Sequence, residues 1–350
     1  MDLPLTVIVP AYNGEKTIER AVNSLLCQTL QNLEIIIVND GSKDNTAQIA
    51  DRYASQDPRV RVIHKEKNEG LSAGRNSGMA VARGEYITFL DCDDWVEPVI
   101  YETMLQHGEN ADVIVTGAYH DVHDANSKVL VCTEDSTGES CTVTDKKEII
   151  RWAGKLDRRR LFAYSWNKLF KRAFLQTCGV IYQQQTLIED YQFNCGIWNQ
   201  IEKLAIIDGC YYHYVKFSTE ALTQRYLPDY FEIMTKRYTL MRSLYAESGL
   251  FTGEDRQVLC TMHAKHIIAG IVKNCNKKSG LSGAQQRKVI RQVLQKADCV
   301  EAMQYGKGTR IQEKVCNLVL GTRSVTVNYL FAKILYGMQN SRGNLFDKLK

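Results

Sequence analysis

The sequence predicts an α/β fold whose first third forms a mostly parallel sheet flanked by helices. Short apolar runs alternate there with stretches of helical periodicity, the order in which crossover helices join parallel strands. Polar residues follow several of these runs, at the carboxyl ends of strands where open α/β sheets bind ligands. At 350 residues and 44% hydrophobic content, the chain can form one large or two modest domains.

The alternation predicts four strands with three helices between them. The strands are Leu5 to Val9, Ile35 to Val38, Val60 to His64 and Tyr86 to Leu90, and the helices are Glu15 to Cys27, Asn45 to Ala54 and Ser72 to Ala82. The run Val113 to Thr116 extends the sheet, and the polar stretch 121–145 predicts a loop or hairpin insertion.

Helical periodicity replaces this alternation beyond about Lys216. Aromatic and methionine residues recur there at the spacing of one helix face: Phe231, Met234, Tyr238, Met241 and Tyr245. We therefore expect an α/β domain over residues 1–215 and a helical region over residues 216–350.

The last stretch of the chain combines apolar residues with basic ones. The apolar positions are Val325, Val327, Leu330, Phe331, Ile334, Leu335 and Met338, and the basic ones are Arg323, Lys333, Arg342, Lys348 and Lys350. An ordinary packed helix explains this pattern, and peripheral contact with an anionic membrane is the alternative. The C-terminal helices also offer a surface for a homodimer.

Composition narrows the function classes. A net charge of +4 is small for this length and argues against nucleic acid as the main partner. The eleven cysteines show neither a Cys-x-x-Cys pair nor zinc-ligand spacing, which favours reduced thiols in the cytoplasm. The N-terminus has no signal-peptide pattern, and no apolar run is long enough to span a bilayer.

Three carboxylates follow the predicted strand Tyr86 to Leu90. Asp91, Asp93 and Asp94 lie within four positions, and such acids repel one another unless a cation or hydrogen-bond donors neutralise them. Hard oxygen ligands suit Mg²⁺ or Mn²⁺ holding a diphosphate. The alternative is an acidic turn that caps the next helix.

Two further segments of the first third carry candidate site residues. Asp40 stands at the tip of the second strand, where its carboxylate can accept hydrogen bonds from a nucleobase. Gly70, Gly74 and Gly78 recur through a predicted helix, where glycine costs about 1 kcal/mol relative to alanine, so close approach to a neighbour or ligand is expected. Arg75, between them, can offer a planar donor fork to a diphosphate or to the acids at 91–94.

The pair Glu189 and Asp190 follows another apolar run. A carboxylate in a partly dry cleft has a raised pKa and can act as a general base toward a sugar hydroxyl. Acids favoured by the dipole at a helix N-terminus are the alternative explanation.

Together these segments resemble the family 2 glycosyltransferases, inverting enzymes of the GT-A fold in bacterial polysaccharide and glycoconjugate assembly. Five segments carry the likeness in order: residues 7–13, residues 39–44, residues 68–78 apart from 71–72, Asp91-Cys92-Asp93-Asp94, and Glu189-Asp190. The resemblance is firm over about residues 4–100, sparser to Tyr214, and absent beyond.

The resemblance implies roles for the donor-side residues. Pro10 and Tyr12 are expected to line the nucleotide pocket, and Asp40 to read the uracil or other base. Arg75 is expected near the diphosphate, and Asp91 near the ribose or sugar.

It also implies the chemistry of transfer. Asp93 is expected to ligate Mn²⁺ or Mg²⁺, and Asp190 to be the base, with Glu189 as the second candidate. Lys168 is a candidate for phosphate or acceptor contact, and His213 for phosphate, acceptor or metal, although a core or rim histidine explains His213 equally well. The expected partners are a nucleotide-sugar donor, UDP-linked by preference, and a saccharide or lipid-linked acceptor.

Two departures from the family indicate a non-processive enzyme. The chain lacks membrane helices and the Gln-x-x-Arg-Trp motif, since Glu148-Ile149-Ile150-Arg151-Trp152 has Glu in place of Gln and precedes Glu189. Two rival functions stay open: a sugar nucleotidyltransferase, and a catalytically silent nucleotide-sugar binder that scaffolds an assembly complex.

Overall fold

The computed structural model describes residues 3–124, 129–184, 188–217, 228–276 and 279–341. The chain divides into two compact units, Met1–Thr219 and Glu220–Lys350. The basic residues Arg342, Lys348 and Lys350 of the predicted terminal stretch lie outside the described residues.

The first unit is built on one sheet in the order β3-β2-β1-β4-β9-β6-β10-β5, with β7 paired to β6 and β8 to β10. Its strands are β1 (Leu5–Ala11), β2 (Leu33–Asn39), β3 (Val60–His64), β4 (Tyr86–Phe89), β5 (Trp95–Val96), β6 (Val113–His123), β7 (Val129–Asp135), β8 (Cys141–Val143), β9 (Lys168–Lys171) and β10 (Leu204–Phe217). Its helices are α1 (Ile18–Leu26), α2 (Thr46–Gln56), α3 (Leu71–Val81), α4 (Ile100–His107), α5 (Lys146–Arg158), α6 (Arg172–Cys178) and α7 (Glu189–Trp198).

Strands β3, β2, β1 and β4 pair in parallel, as the alternation predicts. β1 and β2 are buried along their whole length, which explains their nearly continuous apolar sequence. The second half of the sheet is mixed, because β9 runs antiparallel to both β4 and β6 while β6 and β10 are parallel. The predicted hairpin insertion is confirmed, since β7 folds back antiparallel onto β6.

Helix α3 packs closely against β1, and its glycines permit this approach. A Cβ at Gly78 would lie 2.4 Å from Cγ2 of Ile8, closer than any real contact. A Cβ at Gly74 would lie 3.3 Å from Cβ of Pro10. The expected compensation for glycine within a helix is therefore contact with the neighbouring strand.

The second unit is helical, as expected for the C-terminal region. Its helices are α8 (Tyr230–Glu247), α9 (Gly253–Asn274), α10 (Gly283–Gln295), α11 (Ala297–Tyr305), α12 (Ile311–Gly321) and α13 (Val325–Ser341). Aliphatic residues of α9 such as Ile267 and Ile271 form a core with Ile290, Leu320 and others. On α8, the predicted stripe buries Tyr238, Met241 and Tyr245.

The structure also bears on membrane spans and on the state of the cysteines. Among the described helices, none combines the length and the apolar character needed to cross a membrane. All eleven cysteines lie within the described ranges, and each is a free thiol.

Candidate active site

The loops after β1 and β2 are joined side by side at the carboxyl edge of the sheet. The backbone N–H of Asn13 donates to Oγ of Ser42 at 3.1 Å, and that of Gly14 donates to Oγ1 of Thr46 at 2.8 Å. Gly41 has φ +69°, and a Cβ there would lie 2.6 Å from the backbone carbonyl carbon of Lys67. Glycine is therefore required at this position.

Asp40 lies beneath these loops and is 4% exposed. Its carboxylate accepts hydrogen bonds from the backbone N–H groups of Glu69 at 3.1 Å and Gly70 at 2.7 Å, and Nζ of Lys65 lies 3.0 Å away. These donors fix the start of α3. The structure thus gives this carboxylate protein partners, and its contact with a base stays a prediction.

Pro10 and Tyr12 border the crevice at the end of β1. Pro10 is buried against α3, whereas Tyr12 is 43% exposed and free to cover a ligand. The loop that follows reaches the acidic turn, because a Cβ on Gly14 would lie 3.0 Å from Sγ of Cys92. This contact places the β1 loop beside residues 91–94.

The three acids after β4 have different surroundings. Asp94 is fully buried and accepts from Oη of Tyr212 at 2.7 Å and from the backbone N–H of Val215 at 2.8 Å. Burial and repulsion from Asp93 and Asp91 raise the pKa of Asp94 well above its usual value. Asp94 therefore ties the acidic turn to β10.

Asp93 instead reaches solvent. Although its side chain is exposed, loss of hydration in the crevice and repulsion from Asp91 raise the pKa of Asp93 to about 6. The nearby Arg20 donates to the backbone carbonyl of Asp93 and not to its carboxylate. Because these surroundings disfavour the ionised form of the carboxylate, a cation that binds from solvent would stabilise it.

Arg75 connects the acidic turn after β4 to the first turn of α7. It projects from α3, is 1% exposed, and donates from Nη2 to Oδ1 of Asp91 at 3.0 Å and from Nη1 to Oδ1 of Asp190. Its guanidinium carbon lies 5.3 Å from the ring centroid of Tyr182 and 5.6 Å from that of Phe89. Of the two partners predicted for this donor fork, a diphosphate or the acids at 91–94, the structure shows Asp91, and it adds Asp190 as a second carboxylate.

Asp190 lies in the first turn of α7, with 13% of its side chain exposed. Burial raises the pKa of Asp190 to about 6, although the charge of Arg75 opposes this shift. The backbone N–H of Ser165 donates a long hydrogen bond of 3.3 Å to Oδ2. This oxygen is the more available of the two for accepting a proton. Glu189 precedes it in the same turn, and Oε2 of Glu189 is buried without a hydrogen-bond partner among the described residues.

Polar residues of α3 hold the segment that precedes Asp190. Asn76 donates from Nδ2 to the carbonyl of Tyr182 at 2.8 Å and accepts from the backbone N–H of Tyr182 at 3.0 Å. Oγ of Ser72 donates to the carbonyl of Gln183 at 2.8 Å. Sequence reasoning missed Tyr182, and its only local signal was an isolated aromatic residue after the α6 helix.

His213 on β10 stands between two aromatic rings and two carboxylates. It stacks on Trp95 with a centroid distance of 3.5 Å and on Tyr119 at 4.6 Å. Nδ1 lies 2.7 Å from Oδ2 of Asp121, and Nε2 lies 3.1 Å from Oε1 of Glu97. Asp121 is buried, whereas the Glu97 side chain is 37% exposed.

Lys168 is placed differently from the phosphate contact expected for it. It is fully buried, and Nζ donates to the carbonyls of Leu161 at 2.9 Å, Phe162 at 3.3 Å and Tyr164 and to Oδ1 of Asn167. Burial lowers the pKa of Lys168 to about 7. This geometry favours a clamp on loop 161–164 over contact with an external phosphate.

The carboxylates and His213 provide the residue types of a metal site, although they do not form a closed one. No group of three or more His, Cys, Asp or Glu side chains within the described ranges is arranged to enclose a metal ion. An ion would therefore need oxygen ligands from a substrate to complete its coordination, as Mg²⁺ often does. The exposed Asp93 carboxylate and the His213 ring, held by Asp121, are chemically suitable ligands for such an ion.

Comparisons with known proteins found a family model, sequence relatives and a solved structure. The model for Glycosyl transferase family 2 matches residues 6–174. The uncharacterized glycosyltransferase EpsJ of Bacillus subtilis is 31% identical over 296 residues, which cover 83% of this chain and 84% of that protein. The putative glycosyltransferase EpsH of the same organism is 34% identical over 237 residues, 66% of each chain.

A solved structure is similar in fold. Staphylococcus aureus TarS residues 1–349 in complex with UDP superimposes with a TM-score of 0.62 at 18% identity, and the match covers 98% of this chain and 93% of that one. The match confirms the predicted fold class.

Proposed function

The chain belongs to glycosyl transferase family 2 and is a glycosyltransferase, and we propose that it moves a sugar from a nucleoside diphosphate to an acceptor hydroxyl with inversion. UDP is the proposed nucleotide, and TarS, which has the same fold, has been solved with UDP and with UDP-GlcNAc. The acceptor is a saccharide or a lipid-linked saccharide, and the product belongs to polysaccharide or glycoconjugate synthesis.

The observation that carries the proposal is the ion-paired triad Asp91–Arg75–Asp190. One buried cation sets a carboxylate of the donor-side turn and a carboxylate of α7 at fixed positions around the crevice. A donor and an acceptor held between them would meet in a defined orientation, which accounts for a large part of enzymatic rate acceleration.

Asp190 acts as the general base. With a pKa raised to about 6, it is mostly ionised at pH 7 yet more basic than an ordinary aspartate. Oδ2 takes the proton of the acceptor hydroxyl as that oxygen attacks the anomeric carbon. The bond from this carbon to the diphosphate oxygen breaks on the opposite face, and the nucleoside diphosphate leaves with the bonding electrons. Glu189 is the second candidate for this role.

On the donor side, Tyr12 and Pro10 border the nucleotide, Asp40 contacts the base, and Asp91 contacts ribose or sugar. Asp93 and Nε2 of His213 are the proposed ligands of Mn²⁺ or Mg²⁺, after Glu97 turns away. Asp121 would keep the His213 ring oriented through Nδ1. When bound there, the ion would neutralise charge that develops on the departing diphosphate.

Release of free nucleoside diphosphate tests the proposal. The protein is mixed with Mn²⁺, a panel of nucleotide sugars and candidate acceptors, and Asp190→Asn should lower transfer by about 10²–10⁴-fold. Asp51→Asn, which changes a surface carboxylate on α2 paired with His64, is the matched control and should keep full activity.

Other outcomes separate the rival functions. Production of pyrophosphate would identify a nucleotidyltransferase. Tight binding of a nucleotide sugar without turnover, in the presence of acceptor, would identify a scaffold. Mass spectrometry of a product would then give the sugar and the linkage.

A further inference from the structure

Helix α12 of the second unit leaves an apolar face in solvent. Ile311 is 81% exposed, Val315 38% and Leu318 72%. Steps of four and three residues place these side chains on one face of the helix, while Glu313 and Leu320 point into the protein. Such a contiguous face differs from the isolated exposed hydrophobic residues that any protein surface carries.

Helix α13, which packs beside α12, repeats the arrangement. Val327, Leu330, Ile334 and Met338 are 40%, 55%, 60% and 42% exposed, again at steps of three and four. Asn328 and Ala332, on the other side of the helix, are buried. Of the large hydrophobic side chains that are exposed within the described ranges, nearly half lie on these two helices.

The charges around these faces have one sign. Residues 307–341 contain five basic residues and a single acid: Lys307, Arg310, Lys314, Arg323 and Lys333 against Glu313. Glu313 is 5% exposed, because its carboxylate accepts from the backbone N–H groups of Thr309 at 2.9 Å and Arg310 at 3.2 Å. The charge presented to solvent by this segment is therefore cationic.

We propose that the α12–α13 surface, defined by the seven exposed apolar residues above, docks onto an anionic phospholipid surface. Apolar side chains would enter the interfacial layer, and the exposed Lys314, adjacent in sequence to Val315, would extend to lipid phosphates at the rim. A second copy of this chain fits less well, because an isologous contact would bring the cationic rims together.

Vesicle sedimentation with the whole chain tests the inference without donor or acceptor, so its outcome is independent of the proposed reaction. The protein should pellet with phosphatidylcholine vesicles that contain phosphatidylglycerol, should bind weakly to phosphatidylcholine alone, and should be released by salt. Leu330→Glu combined with Ile334→Glu should weaken binding roughly tenfold or more. Lys314→Ala should weaken it about fivefold.

Matched variants guard against trivial results. Leu130→Glu changes an exposed apolar residue on β7 of the first unit, 53% exposed, and should bind vesicles as the wild type does. Leu318→Glu tests α12 separately, and circular dichroism reports whether each variant folds. Binding that ignores phosphatidylglycerol, or that survives all the α12 and α13 changes, overturns the inference. So does a dimer in light scattering that the same changes abolish while vesicles are not bound.

Discussion

Replacement of Arg75 by methionine tests the central geometry of the site. The guanidinium is 1% exposed and ion-paired with both Asp91 and Asp190, so its removal leaves two poorly hydrated carboxylates without their shared cation. Loss of one partner from a buried ion pair typically costs about 3–5 kcal/mol of stability. Arg75→Met should therefore unfold at a clearly lower temperature than the wild type.

The same change should alter the pH dependence of the reaction. Arg75 lowers the pKa of Asp190 against the effect of burial, and the net value is about 6. Without the cation the pKa rises further, and each unit corresponds to about 1.4 kcal/mol. The acid limb of the profile of kcat/KM should move from near pH 6 to higher pH by roughly one to two units.

The assay is nucleoside diphosphate release across the pH range, with KM for the nucleotide sugar measured at each pH. Arg75→Lys keeps the charge but not the two-pronged donor and should move the limb less. Arg59→Met removes an ion pair with Asp57 elsewhere in the unit and serves as the control. An unchanged acid limb of the pH profile, together with a KM raised more than tenfold, would refute this reasoning. That result would support contact between Arg75 and the diphosphate of the donor.

Three further predictions address other parts of the first unit. Asp93→Asn should abolish transfer yet raise thermal stability at pH 8 in the presence of a chelator, because it removes an ionised carboxylate whose pKa is raised to about 6. Added Mn²⁺ should stabilise the wild type only, and equal stabilisation of both proteins would exclude Asp93 as a ligand. Lys168→Met should lower the free energy of unfolding by about 1–3 kcal/mol, because the loop carbonyls lose their hydrogen-bond donor. KM for the nucleotide sugar should stay nearly unchanged, whereas a large rise in this KM would support phosphate contact. Gly78→Ala should lower the free energy of unfolding by about 1–3 kcal/mol, because the added methyl group meets Ile8, despite the higher helix propensity of alanine. Gly337→Ala, where an added Cβ would have no heavy atom within 4 Å, should be neutral or stabilising, and denaturant titration compares the two variants.

Much of the parallel half was predictable because its signals are local. The strand Val60–His64 matches its predicted range, and Gly74 and Gly78 marked a helix that must approach a neighbour. The acidic turn at residues 91–94 and the carboxylate of Asp190 could also be identified as candidates from the sequence. For Arg75 the sequence left two kinds of partner open, a diphosphate or the acids at 91–94. The packing of α3 gives it Asp91 from the second set and adds Asp190, which the sequence did not indicate as a partner.

What could not be predicted depends on residues distant in sequence. Three acids in one turn look alike, yet Asp94 is held by Tyr212 and Val215, more than a hundred positions away. Lys168 resembles a surface cation until the carbonyls of loop 161–164 surround it. The two ring nitrogens of His213 contact Asp121 and Glu97, which lie far from it in the sequence. Local patterns carry no information on such pairings.

The position of β9 has a consequence for how the chain is made. This strand, only four residues long, is the bridge between β4 and β6, and it is synthesised long after β4. Until Lys171 has left the ribosome, β4 keeps an unpaired edge, and such edges invite association with other nascent chains. Folding of the sheet must therefore wait for a late, non-local pairing, which slows it. A chain cut short before residue 168 should aggregate rather than persist as a small parallel domain.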